Sequence, residues 1–165
     1  MSCDLKPSEI PSTHHYQGDV FELLKGQQFD LLIAHPPCTD LAISGARWFP
    51  EKVADGRQQK AIDFFTKLAL LDIPKIAIEN PISIMSTEWR KPDQIIHPWM
   101  FGESYSKSTC LWLKGLPKLV PTNIVDKGEF VIHGGKKIAK WYSNREMDRD
   151  KTFQGIADAM ASQWG

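Results

Sequence analysis

Cysteine is scarce in this 165-residue chain, and the three present (Cys3, Cys38 and Cys110) are scattered with no Cys-x-x-Cys pair. That excludes a disulfide framework and disfavours a structural zinc site, so a reducing, cytosolic setting is expected. Charge of one sign is missing as well. Lysine plus arginine number 20 and aspartate plus glutamate number 20, so no global positive field draws the chain onto nucleic acid, and such binding has to come from a local patch. No apolar run approaches the roughly 20 residues that a membrane helix needs, and no signal peptide is recognisable. Histidines 14, 15 and 35 have no companion cluster with ligand spacing, so no metal is expected. Internal repeats, low-complexity tracts and dividing linkers are absent too, and one domain over residues 1–165 is the expectation.

What is present is an apolar strand pattern ending in reactive residues, twice. The stretch FDLLIAHPPCTDLAISGARW (29–48) opens as a buried strand over 29–34 and stops at a double proline that cannot continue a ladder. KIAIENP (75–81) gives a second strand over 75–78 followed by Glu79-Asn80-Pro81. Between them, Val53, Ala54, Ala61, Phe64, Phe65, Leu68 and Leu71 recur at helical spacing and predict one crossover helix over about 51–71. Strand, crossover and strand make a βαβ unit with parallel strands. In an open α/β sheet, ligands bind beyond the carboxyl ends of such strands, which brings Cys38 and Glu79 to one crevice. A lone strand-end cysteine is ordinarily a small buried residue. The Pro-Pro before it and the Glu-Asn-Pro after the next strand shift the balance toward chemistry, whereas Cys110, inside an apolar strand, reads as structural.

Elsewhere the pattern gives a short strand at 2–4, a turn into a helical turn or two over 17–25, and strands at 94–97 and 109–113. A hairpin follows, with 130–133 and 136–142 on either side of Gly134-Gly135. The chain finishes in a helix with Ile156, Ala157, Met160, Ala161 and Trp164 on its apolar face. Lys136, Lys137, Lys140, Arg145 and Arg149, interleaved with Trp141 and Tyr142, suit phosphate contact and base stacking, or equally a solvated hairpin. Arg47-Trp48 either covers a bound base or packs at the crossover entrance.

Pro37-Cys38 at one strand end and Glu79-Asn80 at the next resemble the paired motifs of the DNA cytosine C5 methyltransferases. End to end, the chain is similar to a small, often phage-encoded family of cytosine methyltransferase-like proteins. The resemblance is carried by SCDLKPSE, QGDV, HPPCTDLAISGARW, IAIENP, KPDQII, PWMFG, KSTCLWLKGLP, PTNIV and FQGIADAMASQWG. It implies a truncated Rossmann-like methyltransferase sheet, mostly parallel, with a C-terminal hairpin and helix. It implies Cys38 as the nucleophile that adds to C6 of cytosine, Glu79 as the acid that holds N3, and Asn80 as the residue positioning Glu79 or the loop. S-adenosylmethionine is the implied cofactor, with Asp4 and Asp19 toward its ribose and adenine and with Pro36, Pro37, Gly155 and Ile156 lining its pocket. His35, Ser44, Arg47, Trp48, Lys107 and Arg145 are the implied substrate contacts. The family's first cofactor motif has no counterpart before the strand at 2–4, so a homo-oligomer or a second chain is expected to complete the sheet. The substrate is a nucleotide or nucleic acid, and a phage-encoded member would work in the host cytoplasm. A non-catalytic nucleotide-binding protein on the same scaffold is the alternative. Pro36-Pro37-Cys38 also resembles the Asn-Pro-Pro-Tyr motif of amino-methyltransferases, but His35 lacks the amide and Cys38 the aromatic face.

Overall fold

A computed structural model describes residues 1–140 and 152–165. The chain forms two compact units, residues 1–30 and 31–165.

In the first unit, β1 (Ser2–Asp4) and β2 (His15–Gln17) pair in parallel, with Cys3 opposite Tyr16. No pattern in the sequence marks β2, which is only three residues long. Helix α1 (Val20–Lys25) starts at Asp19, whose carboxylate accepts from the Phe21 N–H at 2.7 Å. Aspartate at this position satisfies one of the free N–H groups of the first turn.

The second unit is a four-stranded sheet in the order β3-β4-β6-β5, formed by Leu31–Ala34, Lys75–Pro81, Thr109–Lys114 and Gln94–Ile96 respectively. β3 and β4 are parallel, as the βαβ reading requires, but β6 runs antiparallel to both β4 and β5. The sheet is therefore mixed, and the expectation of a mostly parallel sheet is corrected. The physical reason lies in the connection from Ile96 to Thr109, which contains no crossover helix and so returns the chain in the opposite direction.

The expected single crossover helix is two helices, α2 (Phe49–Ala54) and α3 (Arg57–Ala69). The break falls at Asp55-Gly56, where Gly56 adopts φ +77°, a conformation that glycine tolerates and a continuing helix does not. The break also rotates the buried face of α2: Val53 is 63% exposed and Lys52 is buried at 5%.

Side-chain alternation along the strands sends Trp112 and Leu111 to opposite faces. On one face, Phe65 of α3 meets Trp112 edge-on at 5.1 Å, and Trp89 packs on Phe65 at 5.8 Å. On the other, Ala77 and Leu111 form a core with Ile156, Ala159, Met160 and Trp164 of α5 (Gln154–Trp164). The apolar face of α5 thus includes Ala159, while Ala161 is exposed. A short helix α4 (Met85–Glu88) follows β4. Strands β7 (Phe130–His133) and β8 (Lys136–Ala139) form the expected antiparallel hairpin around Gly134-Gly135.

Helix α5 approaches the chain closely at Gly155, where a Cβ would stand 1.9 Å from the carbonyl oxygen of Phe101. Backbone cannot yield as a flexible side chain does. Gly155→Ala is expected to cost about 1–3 kcal/mol, read as a fall in the urea midpoint.

Candidate active site

The parallel pair β3/β4, with β5 in the same direction and β6 reversed, puts the ends of β3, β4 and β5 and the start of β6 along one edge of the sheet. His35 and Cys38 leave that edge after β3, Glu79 and Asn80 lie in the last turns of β4, and Lys107 stands just before β6.

Strand β4 is longer than its apolar run suggests and carries Glu79, Asn80 and Pro81 into the ladder opposite Leu111, Cys110 and Thr109. Being in the ladder fixes the Glu79 and Asn80 side chains to opposite faces. Glu79 is partly buried, and its Oε2 lies 3.3 Å from Nδ1 of the exposed His35. Asn80 is 1% exposed and donates from Nδ2 to the carbonyl of Pro36 at 2.9 Å. Among the described residues the buried Asn80 Oδ1 atom has no hydrogen-bond partner, nor does the hydroxyl of Ser83. So the segment leading to Cys38 is gripped from both faces of β4, by Glu79 at residue 35 and by Asn80 at residue 36.

Cys38 is exposed and opens a tight turn, its carbonyl accepting from Leu41 N at 3.0 Å and Ala42 N at 2.8 Å. The turn is stitched to the segment after β4 by Ile43 N to Ile82 O at 3.1 Å and Ile84 N to Leu41 O at 3.0 Å. Leu41 is fully buried beneath it. A thiol on the surface, a carboxyl with a histidine and an amide holding the intervening backbone share one edge. Chemically the set offers a nucleophile, a proton donor or acceptor, and a rigid link between them.

The remaining expected positions have surroundings of their own. Pro36 is buried and Pro37 exposed within the turn. Ser44, Arg47 and Trp48 are exposed in the 3-10 turn Ile43–Trp48 that leads out of the Cys38 turn. There the Arg47 guanidinium sits 5.0 Å from the Trp48 ring centroid. Lys107 lies over Phe153 at 5.6 Å. Ile156 belongs to the core under α5, and Gly155 donates its N–H to Glu103 at 3.2 Å. Asp4 accepts from Lys6 N at 2.8 Å, and Asp19 caps α1, so both have local backbone partners. Arg145 and the basic-aromatic segment at 141, 142 and 149 lie outside the described residues.

Cys110 contrasts with Cys38. Burial pushes its thiol up to about 11, with the nearby charge of Glu79 adding to the rise. It stays a thiol near neutral pH, as its place inside β6 led the sequence to suggest. Sequence reasoning missed Lys52 and Gln58, both buried and both bonded to the Cys38 turn. Charged and amide residues in a helix normally read as its solvated face, so no sequence signal marks them.

Among the described residues no group of three or more His, Cys, Asp or Glu side chains is placed to hold a metal ion. Nor is any helix among them long and apolar enough to cross a membrane. Comparison with protein-family models, curated proteins and solved structures gives no match.

Proposed function

We propose that the chain is a cytosine C5 methyltransferase-like protein acting on a nucleotide or nucleic acid, with Cys38 as nucleophile and Glu79 as acid on a truncated Rossmann-like scaffold. The observation that supports this reading is the grip of Asn80 on the Pro36 carbonyl beside the His35–Glu79 contact. It couples the two strand ends that the chemistry needs together.

Cytosine is unreactive at C5 until a thiolate adds to C6. The Cys38 sulfur would form the S–C6 bond while Glu79 delivers a proton to N3, leaving C5 enamine-like. S-adenosylmethionine would supply the methyl group to that carbon. A base then removes the C5 proton, the C5–C6 double bond re-forms, the thiolate departs and N3 returns its proton to Glu79. Arg47 and Trp48 offer a cation and a stacking face for the nucleobase or a flanking phosphate. A base inside a duplex would have to be turned out of the stack first.

Glu79→Gln keeps the size of the side chain and removes the transferable proton. Methyl transfer to cytosine is expected to fall by about 10²–10⁴-fold, with nucleotide affinity changed far less; equal losses in both would assign Glu79 to binding alone.

The alternative is a nucleotide-binding protein without turnover, which the exposed Arg47–Trp48 pair favours, since its cation and ring suit a phosphate and a base with no part for Cys38. Calorimetric titration with S-adenosylmethionine and a panel of nucleotides separates the two. Binding of S-adenosylmethionine is the result expected of the enzyme. Tight nucleotide binding that ignores both S-adenosylmethionine and Cys38→Ala would overturn it in favour of the binder.

A further inference from the structure

The turn that carries Cys38 is held by more than the residues of β4. Four of its carbonyls, those of residues 36, 38, 39 and 40, are engaged. Pro36 O accepts from Asn80, Cys38 O from two backbone N–H groups, Thr39 O from the Lys52 ammonium, and Asp40 O from Gln58 Nε2 at 3.1 Å. Pro36 and Pro37 add their fixed φ angles to the same segment. Lys52 also lies 3.3 Å from Asp40 Oδ1, near enough to pair electrostatically but off the line of a hydrogen bond.

Lys52 and Gln58 come from α2 and α3, on either side of the Asp55-Gly56 break, and are 5% and 8% exposed. Burying an ammonium is costly, and apolar side chains would pack a helix pair as well or better. What an apolar side chain cannot do is donate to the carbonyls of residues 39 and 40. We propose that Lys52 and Gln58 are positioning residues that clamp the Cys38 turn from α2 and α3 at residues 39 and 40, adding to the grip of Asn80 at residue 36. The proposal rests on Cys38 being the reacting thiol. Attack on a ring carbon needs sulfur held at near-attack distance, and a displacement of about 1 Å can cost about a hundredfold in rate. A loosened turn therefore lowers kcat and leaves KM nearly unchanged.

The test needs no substrate. In a Cys3→Ser background, with Cys110 still protonated, the alkylation of Cys38 by iodoacetamide is followed across pH, and amide exchange is followed at Leu41 and Ala42. Lys52→Met keeps the stem and removes the donor; Gln58→Leu does the same at the second contact. Each variant is expected to speed exchange at Leu41 and Ala42 by at least about tenfold, the factor a lost hydrogen bond to a charged or buried group corresponds to. Exchange at Ile76, Ala77 and Ile78 of β4 is expected to hold, and the midpoint of the alkylation profile to move. A uniform rise in exchange over α3 and β4 with an unmoved alkylation profile would assign the pair to packing and overturn the proposal. So would unchanged exchange at Leu41 and Ala42. If Lys52→Met does not fold, Gln58→Leu and the unsubstituted chain decide: there Leu41 and Ala42 must exchange as slowly as β4, and fast exchange refutes the clamp. Failure here leaves cytosine chemistry at Cys38 standing, because that chemistry is read by a separate assay on the base.

Discussion

Cys38→Ala is expected to lower methyl transfer from S-adenosylmethionine to oligodeoxycytidylate by at least about a thousandfold, the loss that follows when a covalent nucleophile is removed. Without the S–C6 bond no enamine forms, and no other residue of this edge can replace it. Cys110 is buried and its thiol is pushed up to about 11. Since Cys38 is exposed, the substitution should leave stability within about 0.5 kcal/mol. A radiolabelled methyl assay alongside a urea titration reads both. Retained transfer at unchanged stability would remove Cys38 from the mechanism.

The second large effect concerns the support beneath the site. Trp112 is 1% exposed, meets Phe65 edge-on and donates from Nε1 to the Arg90 carbonyl at 2.8 Å. It pairs with Ile78, directly before Glu79 in β4. Truncation to alanine removes the largest side chain between α3 and the sheet, leaves a cavity and orphans the Arg90 oxygen. The expected cost is about 3–5 kcal/mol, seen as a lower urea midpoint with the slope preserved. A loss below about 1 kcal/mol would mean that α3 is not seated on Trp112.

The chemistry-bearing ends were legible because they follow strands whose apolar runs stop at proline. Leu31–Ala34 and Lys75–Pro81 are such runs, and their parallel pairing follows from the helical pattern between them. The reversal of β6 was less visible, since a strand pattern has the same alternation in either direction. The missing helical pattern between Ile96 and Thr109 was the available sign. The break at Asp55-Gly56 was a readable turn signal overridden by the apolar spacing on either side. Burial of Lys52 in place of Val53 follows from the rotation that this break introduces, a tertiary consequence that no local pattern encodes. Likewise the contact between His35 and Glu79 depends on β3 and β4 being in register, Ala34 opposite Ile78.

The placement of Ile156 shows the opposite limit. As part of a stretch that resembles a family motif it pointed to a cofactor pocket; its side chain fills the core between α5 and the sheet, 2% exposed. Motif and packing place different demands on one residue, and only the packing is fixed by the surrounding side chains. Glu79, by contrast, stays partly exposed at the sheet edge, 3.3 Å from Nδ1 of His35.

The most direct measurement is hydrogen exchange at C5 of cytosine in heavy water, because it isolates the proposed addition of Cys38 to C6 and requires no methyl donor. With dCMP or oligodeoxycytidylate as substrate, thiolate addition makes C5 basic, solvent deuterium enters there, and elimination returns a base heavier by one deuterium. The account predicts that the 165-residue chain catalyses this exchange and that Cys38→Ala does not. Exchange at the uncatalysed rate, or at equal rates with and without the thiol, would contradict nucleophilic addition by Cys38.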